Sequence, residues 1–148
     1  MQIKEVQSRE EILETFNILV QIYENLNKDT YIDDILNMMQ RGYKMAMVNE
    51  DQNVENGRCI GVVGIRIIRK LQHGKAIEIE EFMIDRKKRG IGVGKMLIKW
   101  VEFQAALFGC NAIVGDLGTK RLESQRIYAR EGFILDGFFF KKSLKKWE

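Results

Sequence analysis

Between Glu78 and Lys95 the chain changes character twice in a short span. Glu78-Ile79-Glu80-Glu81-Phe82-Met83-Ile84-Asp85 reads as an acid-studded apolar strand, Arg86-Lys87-Lys88-Arg89 as a basic turn, and the alternating glycines Gly90, Gly92 and Gly94 open a long amphipathic helix. Glycine at a helix start leaves backbone N–H groups bare and lets an anion come close, while the helix dipole and the flanking Arg and Lys favour negative charge. A strand, turn and helix joined in this way form a loop suited to phosphates.

The spacing excludes two common phosphate loops. A Walker loop requires G-x-x-x-x-G-K-[ST], but Gly94-Lys95 is followed by Met96 and the earlier glycine position is Arg89. A dinucleotide fingerprint requires G-x-G-x-x-G, but the third glycine position after Gly90-Ile91-Gly92 is Lys95. What remains is R-x-x-G-x-G, Arg89-Gly90-Ile91-Gly92-Val93-Gly94.

Composition narrows the class of protein. With 148 residues, 45% of them hydrophobic and 30% charged, the chain suits one domain over residues 1–148 with a real core. The net charge of +3 is mild, and the basic residues gather at Arg86 to Arg89 and Lys141 to Lys146 rather than along one helical stripe, which argues against a nucleic-acid partner. Cys59 and Cys110 lie far apart with no C-x-x-C, and His73 stands beside Gly74 in a turn, so neutral thiols and a surface histidine are expected rather than a metal site. No apolar run reaches the roughly 18 residues that span a bilayer, and Met1-Gln2-Ile3-Lys4-Glu5 lacks the apolar region of a signal peptide. A cytoplasmic protein with no membrane partner is the expectation.

Along the chain, Ile3 to Val6 predicts a strand and Ser8-Arg9-Glu10-Glu11 a capping box. Ile12, Leu13, Phe16, Leu19, Val20, Tyr23 and Leu26 then recur as one helical face. Asp29 or Thr30 is expected to cap a second helix closed by Gly42. Strands follow over Tyr43 to Val48 and Cys59 to Ile68, with a polar turn from Asn49 to Gly57, and the apolar content of the second predicts burial on both faces. The acidic strand comes next, then a helix from Gly92 to Phe108, a strand from Asn111 to Leu117, a helix from Thr119 to Arg130 capped by Gly132, and one or two strands from Phe133 to Leu144. No linker or repeat divides the chain, and it contains no proline.

The R-x-x-G-x-G loop resembles the pyrophosphate loop of the GNAT superfamily of acetyl-CoA-dependent N-acetyltransferases. Ile127-Tyr128-Ala129-Arg130-Glu131-Gly132-Phe133 is similar to that family's L-Y-x-x-x-G-F. The resemblance covers nearly the whole chain and implies an α/β (α+β) domain with the order β-α-α-β-β-β-α-β-α-β-(β). Its sheet would be mixed and mostly antiparallel, with six to seven strands and about four helices. It also implies acetyl-CoA as cosubstrate, with the pantetheine arm entering where the strand before the loop and the strand after the third helix splay apart. Phe82 and Ile84 would pair with it through their backbones, Phe82, Met83 and Ile84 would wall it, and amides among Arg89, Gly90, Ile91, Gly92, Val93, Gly94 and Lys95 would take the pyrophosphate. Backbone access, rather than side-chain identity, is what such a loop requires.

Acetyl transfer sets two proton demands. An amine with a pKa of about 10.4 is mostly protonated at neutral pH, and only the neutral form attacks a thioester. Glu78, Glu80 and Glu81 lie just upstream of the implied acetyl position and would raise one another's pKa if buried together. Glu78 matches a catalytic glutamate of one branch of the family, and Glu80-Glu81 match an acidic pair of polyamine acetyltransferases. The strand period alone also accounts for Glu78 and Glu80 as the solvent face opposite Ile77 and Ile79. For the departing thiolate, Tyr128 matches the tyrosine that serves as general acid in many family members, and Phe82 N–H the oxyanion donor; the other reading of Tyr128 is a core residue.

Two positions depart from the family's fourth helix, Arg121 for an Asn and Ser124 for an Ala. Ser124 is small enough to let a cofactor pass; Arg121 could meet a phosphate or block an amide contact. Arg86, Lys87 and Lys88 are candidates for the nucleotide's 3′-phosphate or a solvated loop. Tyr23, Asn27, Tyr31 and Asp33 beside the acidic strand suit a cationic acceptor, a small primary amine or polyamine. An aminoglycoside or a protein N-terminus or lysine comes next, then a catalytically silent acyl-CoA-binding module. A homodimer is left open.

Overall fold

The computed structural model describes residues 1–50 and 58–145. Its first helix forms where the capping box predicts. Ser8 Oγ accepts the Glu11 N–H at 3.1 Å, and the Glu11 carboxylate accepts the N–H groups of Gln7 and Ser8, each at 3.0 Å. The bond from the Ser8 backbone, outweighing the opposing effect of burial, and with help from the Gln7 backbone and Lys4, holds the Glu11 carboxyl down at about 2. Helix α1 (Arg9–Leu19) buries Ile12, Thr15, Phe16, Ile18 and Leu19, while Leu13 faces outward. It ends well before Leu26. Val20 to Leu26 turn instead, through bonds such as Tyr23 N–H to Leu19 O and Leu26 N–H to Tyr23 O, so Tyr23 leaves the helical face. Asn27, rather than Asp29 or Thr30, caps α2 (Lys28–Gln40), its side chain accepting the Asp29 N–H at 2.9 Å.

Strands β1 (Gln2–Glu5), β2 (Tyr43–Asn49), β3 (Cys59–Lys70), β4 (Gly74–Ile84) and β5 (Ala112–Gly115) lie in the sheet in chain order. The first three pairings are antiparallel and β4 with β5 is parallel, joined by the crossover helix α3 (Val93–Leu107). Helix α4 (Leu122–Arg130) starts later than Thr119. One sheet face packs Val63, Ile65, Ile77, Ile79, Phe82 and Ile84 against Val93, Leu97, Ile98 and Val101 of α3 and Ile127 and Tyr128 of α4. The other packs Met45, Met47, Val62 and Met83 against α1 and α2. β3 is thus covered on both sides, which is why its sequence lacks alternation.

The expected mixed, mostly antiparallel sheet forms, but with five strands among the described residues rather than six or seven. Phe133 still docks, its N–H bonded to Tyr128 O at 2.9 Å, whereas residues 134–145 are exposed, form neither helix nor strand and make no backbone hydrogen bond among the described residues. Most of the expected Asn49 to Gly57 turn lies outside the described residues.

Candidate functional site

β4 and β5 pair only from Ala76 opposite Ala112 to Ile79 opposite Gly115, after which β4 runs on to Ile84 without a partner on that side. A cleft opens there. At the same point β4 carries a bulge, for Gly64 of β3 opposes Glu81 while Ile65 opposes Ile79, leaving Glu80 as the extra residue. Ile79 and Phe82, three apart, therefore share the α3 face, and the alternation that would have made Glu78 and Glu80 equivalent is broken.

The three glutamates separate accordingly. Glu80 is engaged by Arg66 Nε at 2.8 Å, and Glu78 lies opposite Arg66 in the ladder with partial exposure. Glu81 is the enclosed one. The Tyr23 hydroxyl donates to one of its carboxylate oxygens and the Tyr43 hydroxyl to the other at 3.3 Å. Gly64 makes the second bond possible, because a Cβ there would collide with the Tyr43 hydroxyl. Burial raises the Glu81 pKa, with Glu80 and Asp116 adding to it, against the two tyrosine hydrogen bonds.

On the other wall Tyr128 is buried, its ring edge-on to Phe82 at 5.1 Å and stacked on Phe133 at 4.6 Å. Its hydroxyl oxygen is enclosed and has no hydrogen-bond partner among the described residues. Burial keeps this phenol protonated well above its ordinary range. Arg121 reaches across the cleft from the start of α4 and donates to Phe82 O, to Ser124 Oγ at 2.9 Å and towards Met83 Sδ at 3.7 Å. Since N–H and C=O of one strand residue point to the same edge, the Phe82 N–H also faces the cleft. Burial lowers the Arg121 pKa. Ser124 is buried beside it, and of the wall residues Met83 lies on the α1 and α2 face, away from Phe82 and Ile84.

Below the cleft the loop is built on Asp85. Its carboxylate accepts the Lys87 N–H at 3.1 Å and is gripped by Arg58 at 2.9 Å and Gln21 at 3.4 Å. Although burial alone would raise it, the bonds from Lys87, Gln21 and Arg58 leave the Asp85 pKa lowered. Gly90 at φ +80° and Gly92 at φ +93° take left-handed turns that admit α3, whose first N–H groups have no helical acceptor. A cavity of about 370 Å³ lies against them, lined by Ile84, Lys88, Arg89, Lys95, Ile127 and Arg130 among others. Ile91 is exposed outside it, whereas Val93 is buried in the core. Gly94 differs from the other two glycines, since a Cβ on it would sit 2.8 Å from Ile127 Cδ1 and 3.2 Å from Ile84 Cδ1.

Arg130 was not legible as part of this cavity; its only signal is the three-residue spacing from Ile127, which puts both on one side of α4. Arg86 donates to Gln21 O at 2.8 Å and Lys88 pairs with Glu50. Tyr31 bonds Thr15 at 2.6 Å inside the α1–α2 packing, and Asp33 pairs with Arg9 at 3.3 Å on the surface, so of the expected acceptor aromatics Tyr23 is the one that reaches the acidic strand.

A model of the acetyltransferase (GNAT) family matches residues 12–133. Over 92 residues the chain is 30% identical to an aminoalkylphosphonate N-acetyltransferase of Salmonella typhimurium, an alignment spanning 62% of this chain and 60% of that protein. It is 22% identical over 140 residues to the uncharacterized N-acetyltransferase YhdJ of Bacillus subtilis, covering 94% and 96% of the two chains. Among solved structures, a ribosomal-protein-alanine N-acetyltransferase from Brucella melitensis shares the fold with a TM-score of 0.80 at 16% identity, over 97% of this chain and 100% of that one.

Proposed function

The chain belongs to the GNAT family of acetyltransferases, and from that membership we propose that it moves the acetyl group of acetyl-CoA to a small primary amine by direct attack in a ternary complex. The observation that carries the reading is the Tyr128 hydroxyl, buried at the cleft wall without a partner among the described residues. A buried hydroxyl left unpaired costs roughly 1–3 kcal/mol, so its retention points to a partner that arrives with the ligand. The cofactor fits the residues present. Its pyrophosphate would meet the free amides at the start of α3 beside Arg89, Lys95 and Arg130, and its pantetheine arm would lie along β4, which requires Arg121 to release Phe82 O.

Glu81 accepts a proton from the ammonium, and its raised pKa makes it a better base than an exposed carboxylate. The freed amine forms the C–N bond at the thioester carbon, and the Phe82 N–H faces the oxygen that becomes negative. As the C–S bond breaks, Tyr128 gives its proton to the leaving thiolate and is recharged by the proton that nitrogen loses. Tyr23 and Tyr43 hold the Glu81 carboxylate in one orientation throughout.

We favour a cationic amine or polyamine because Glu81 and Asp116 make this end of the cleft acidic. A second reading rests on Arg121, whose guanidinium shares the cleft with Glu81 and suits an amine that also bears an anion, as an aminoalkylphosphonate does. The test is acetyl-CoA-dependent thiol release across polyamines, aminoglycosides, aminoalkylphosphonates and N-terminal peptides. Turnover with polyamines favours the first reading, and turnover confined to aminoalkylphosphonates the second. No thiol release with any amine, together with no thermal shift on adding acetyl-CoA, would overturn the proposal.

A further inference from the structure

β4 leaves its parallel partner after Ile79, so the backbone groups that face the cleft beyond that point meet no neighbouring strand among the described residues. At Phe82 a side chain takes the place of one. Arg121 Nη2 donates to Phe82 O and to Ser124 Oγ at 2.9 Å, and lies 3.7 Å from Met83 Sδ. A guanidinium amino group has two N–H bonds, and these contacts use both. Ser124 is buried one turn along α4, and the Arg121 N–H bonds Gly118 O at 3.0 Å, so the residue is anchored at its backbone and at its tip. The cavity at the start of α3 is lined by Lys88, Arg89, Lys95 and Arg130 but not by Arg121. This cation therefore stands apart from those that face the phosphate loop.

We infer that Arg121 is a latch on the pantetheine channel: in the unliganded protein it occupies Phe82 O, with which the pantetheine arm would pair, and acetyl-CoA enters by displacing it. The inference rests on the acetyl-CoA reading above and names the residue that sets affinity at that site. Rotation about the Arg121 side-chain bonds is enough to open the channel, since the contacts to Phe82 O and Ser124 Oγ are both made at the tip. A charged donor on a part-buried carbonyl is a stronger partner than the neutral amide that replaces it, so opening costs free energy that binding must supply. The apparent affinity is reduced by the fraction of molecules that are open. The sign of this effect is its signature. Acetyl-CoA is an anion, and removing a cation from its cleft would ordinarily weaken binding, whereas removing a latch strengthens it.

The experiment is calorimetric titration of the full chain with acetyl-CoA and with 3′-phospho-ADP, which carries the nucleotide but no pantetheine arm, for the wild type, Arg121→Asn and Arg121→Met. The methionine keeps the apolar stem and removes the donors. Both variants should bind acetyl-CoA about tenfold more tightly than the wild type and 3′-phospho-ADP equally well. Their melting temperatures should be lower than the wild type's without ligand and equal to it at saturating acetyl-CoA, because a contact present only in the free protein adds to its stability what it subtracts from binding. Acetyl-CoA binding that is unchanged or weaker in the variants would overturn the latch and leave the acetyl-transfer reading standing. So would an equal melting deficit with and without ligand, which is the mark of a packing role kept in the complex. Absence of acetyl-CoA binding by all three proteins would overturn both.

Discussion

Replacing Tyr128 by Phe keeps the ring that stacks on Phe133 and meets Phe82 edge-on, and removes a hydroxyl that has no partner among the described residues. The expected outcome is a fall in kcat of roughly 10²-fold or more with apo stability unchanged or raised by up to about 1 kcal/mol, read from kinetics and melting on one preparation. Glu81 has its own signature. A carboxyl whose folded pKa is raised is favoured by folding when protonated, so its contribution is present at low pH and lost as pH rises through the folded pKa. The wild type should therefore show an acid limb in kcat/KM above the ordinary carboxylate range of about 4.3, absent in Glu81→Gln, whose stability relative to wild type rises with pH. The tyrosine was legible from a motif of spaced residues. The choice among three glutamates was not, because a bulge at Glu80 resets which side of β4 each one occupies, and no local residue pattern announces a bulge.

Elements reveal themselves to the degree that their signals are local. The Ser8 to Glu11 box fixed the start of α1, and the double-sided burial of β3 followed from its unbroken apolar run. The early end of α1 was hidden, since Val20, Tyr23 and Leu26 keep helical spacing yet lie in the turns that close it, from which the Tyr23 hydroxyl reaches β4. The glycine loop makes the sharpest test at this level. Gly92 has open space around it and a left-handed φ, so Gly92→Asp should cost about 1–2 kcal/mol of stability while abolishing the acetyl-CoA thermal shift. Gly94 faces Ile127 and Ile84, so Gly94→Asp should lower the apo melting temperature by more than Gly92→Asp does. Paired melts with and without acetyl-CoA distinguish a ligand contact from a packing contact. Equal apo losses in the two variants would contradict this division.

For the molecule as a whole, ligand binding and folding share one free energy. Acetyl-CoA at about 100 times its Kd should add about 2.7 kcal/mol and raise the melting temperature by roughly 5–10 °C, with CoA giving less, as calorimetry would register. The succession of strands and helices was readable along the chain, but whether the last segment joins its own sheet was not, because residues 134–145 carry strand composition wherever their partner edge lies. Sheet order that equals chain order also bears on how the protein is made. β2, β3 and β4 meet one another across connections without a helix, whereas β5 waits for the whole of α3 before it can pair with β4. The antiparallel meander should form in the folding transition state and β5 after it. Val63→Ala should then slow refolding, while Ile113→Ala should mainly speed unfolding, as the two arms of a chevron plot would register. A chain emerging from the ribosome would have a folded sheet before it had a cleft.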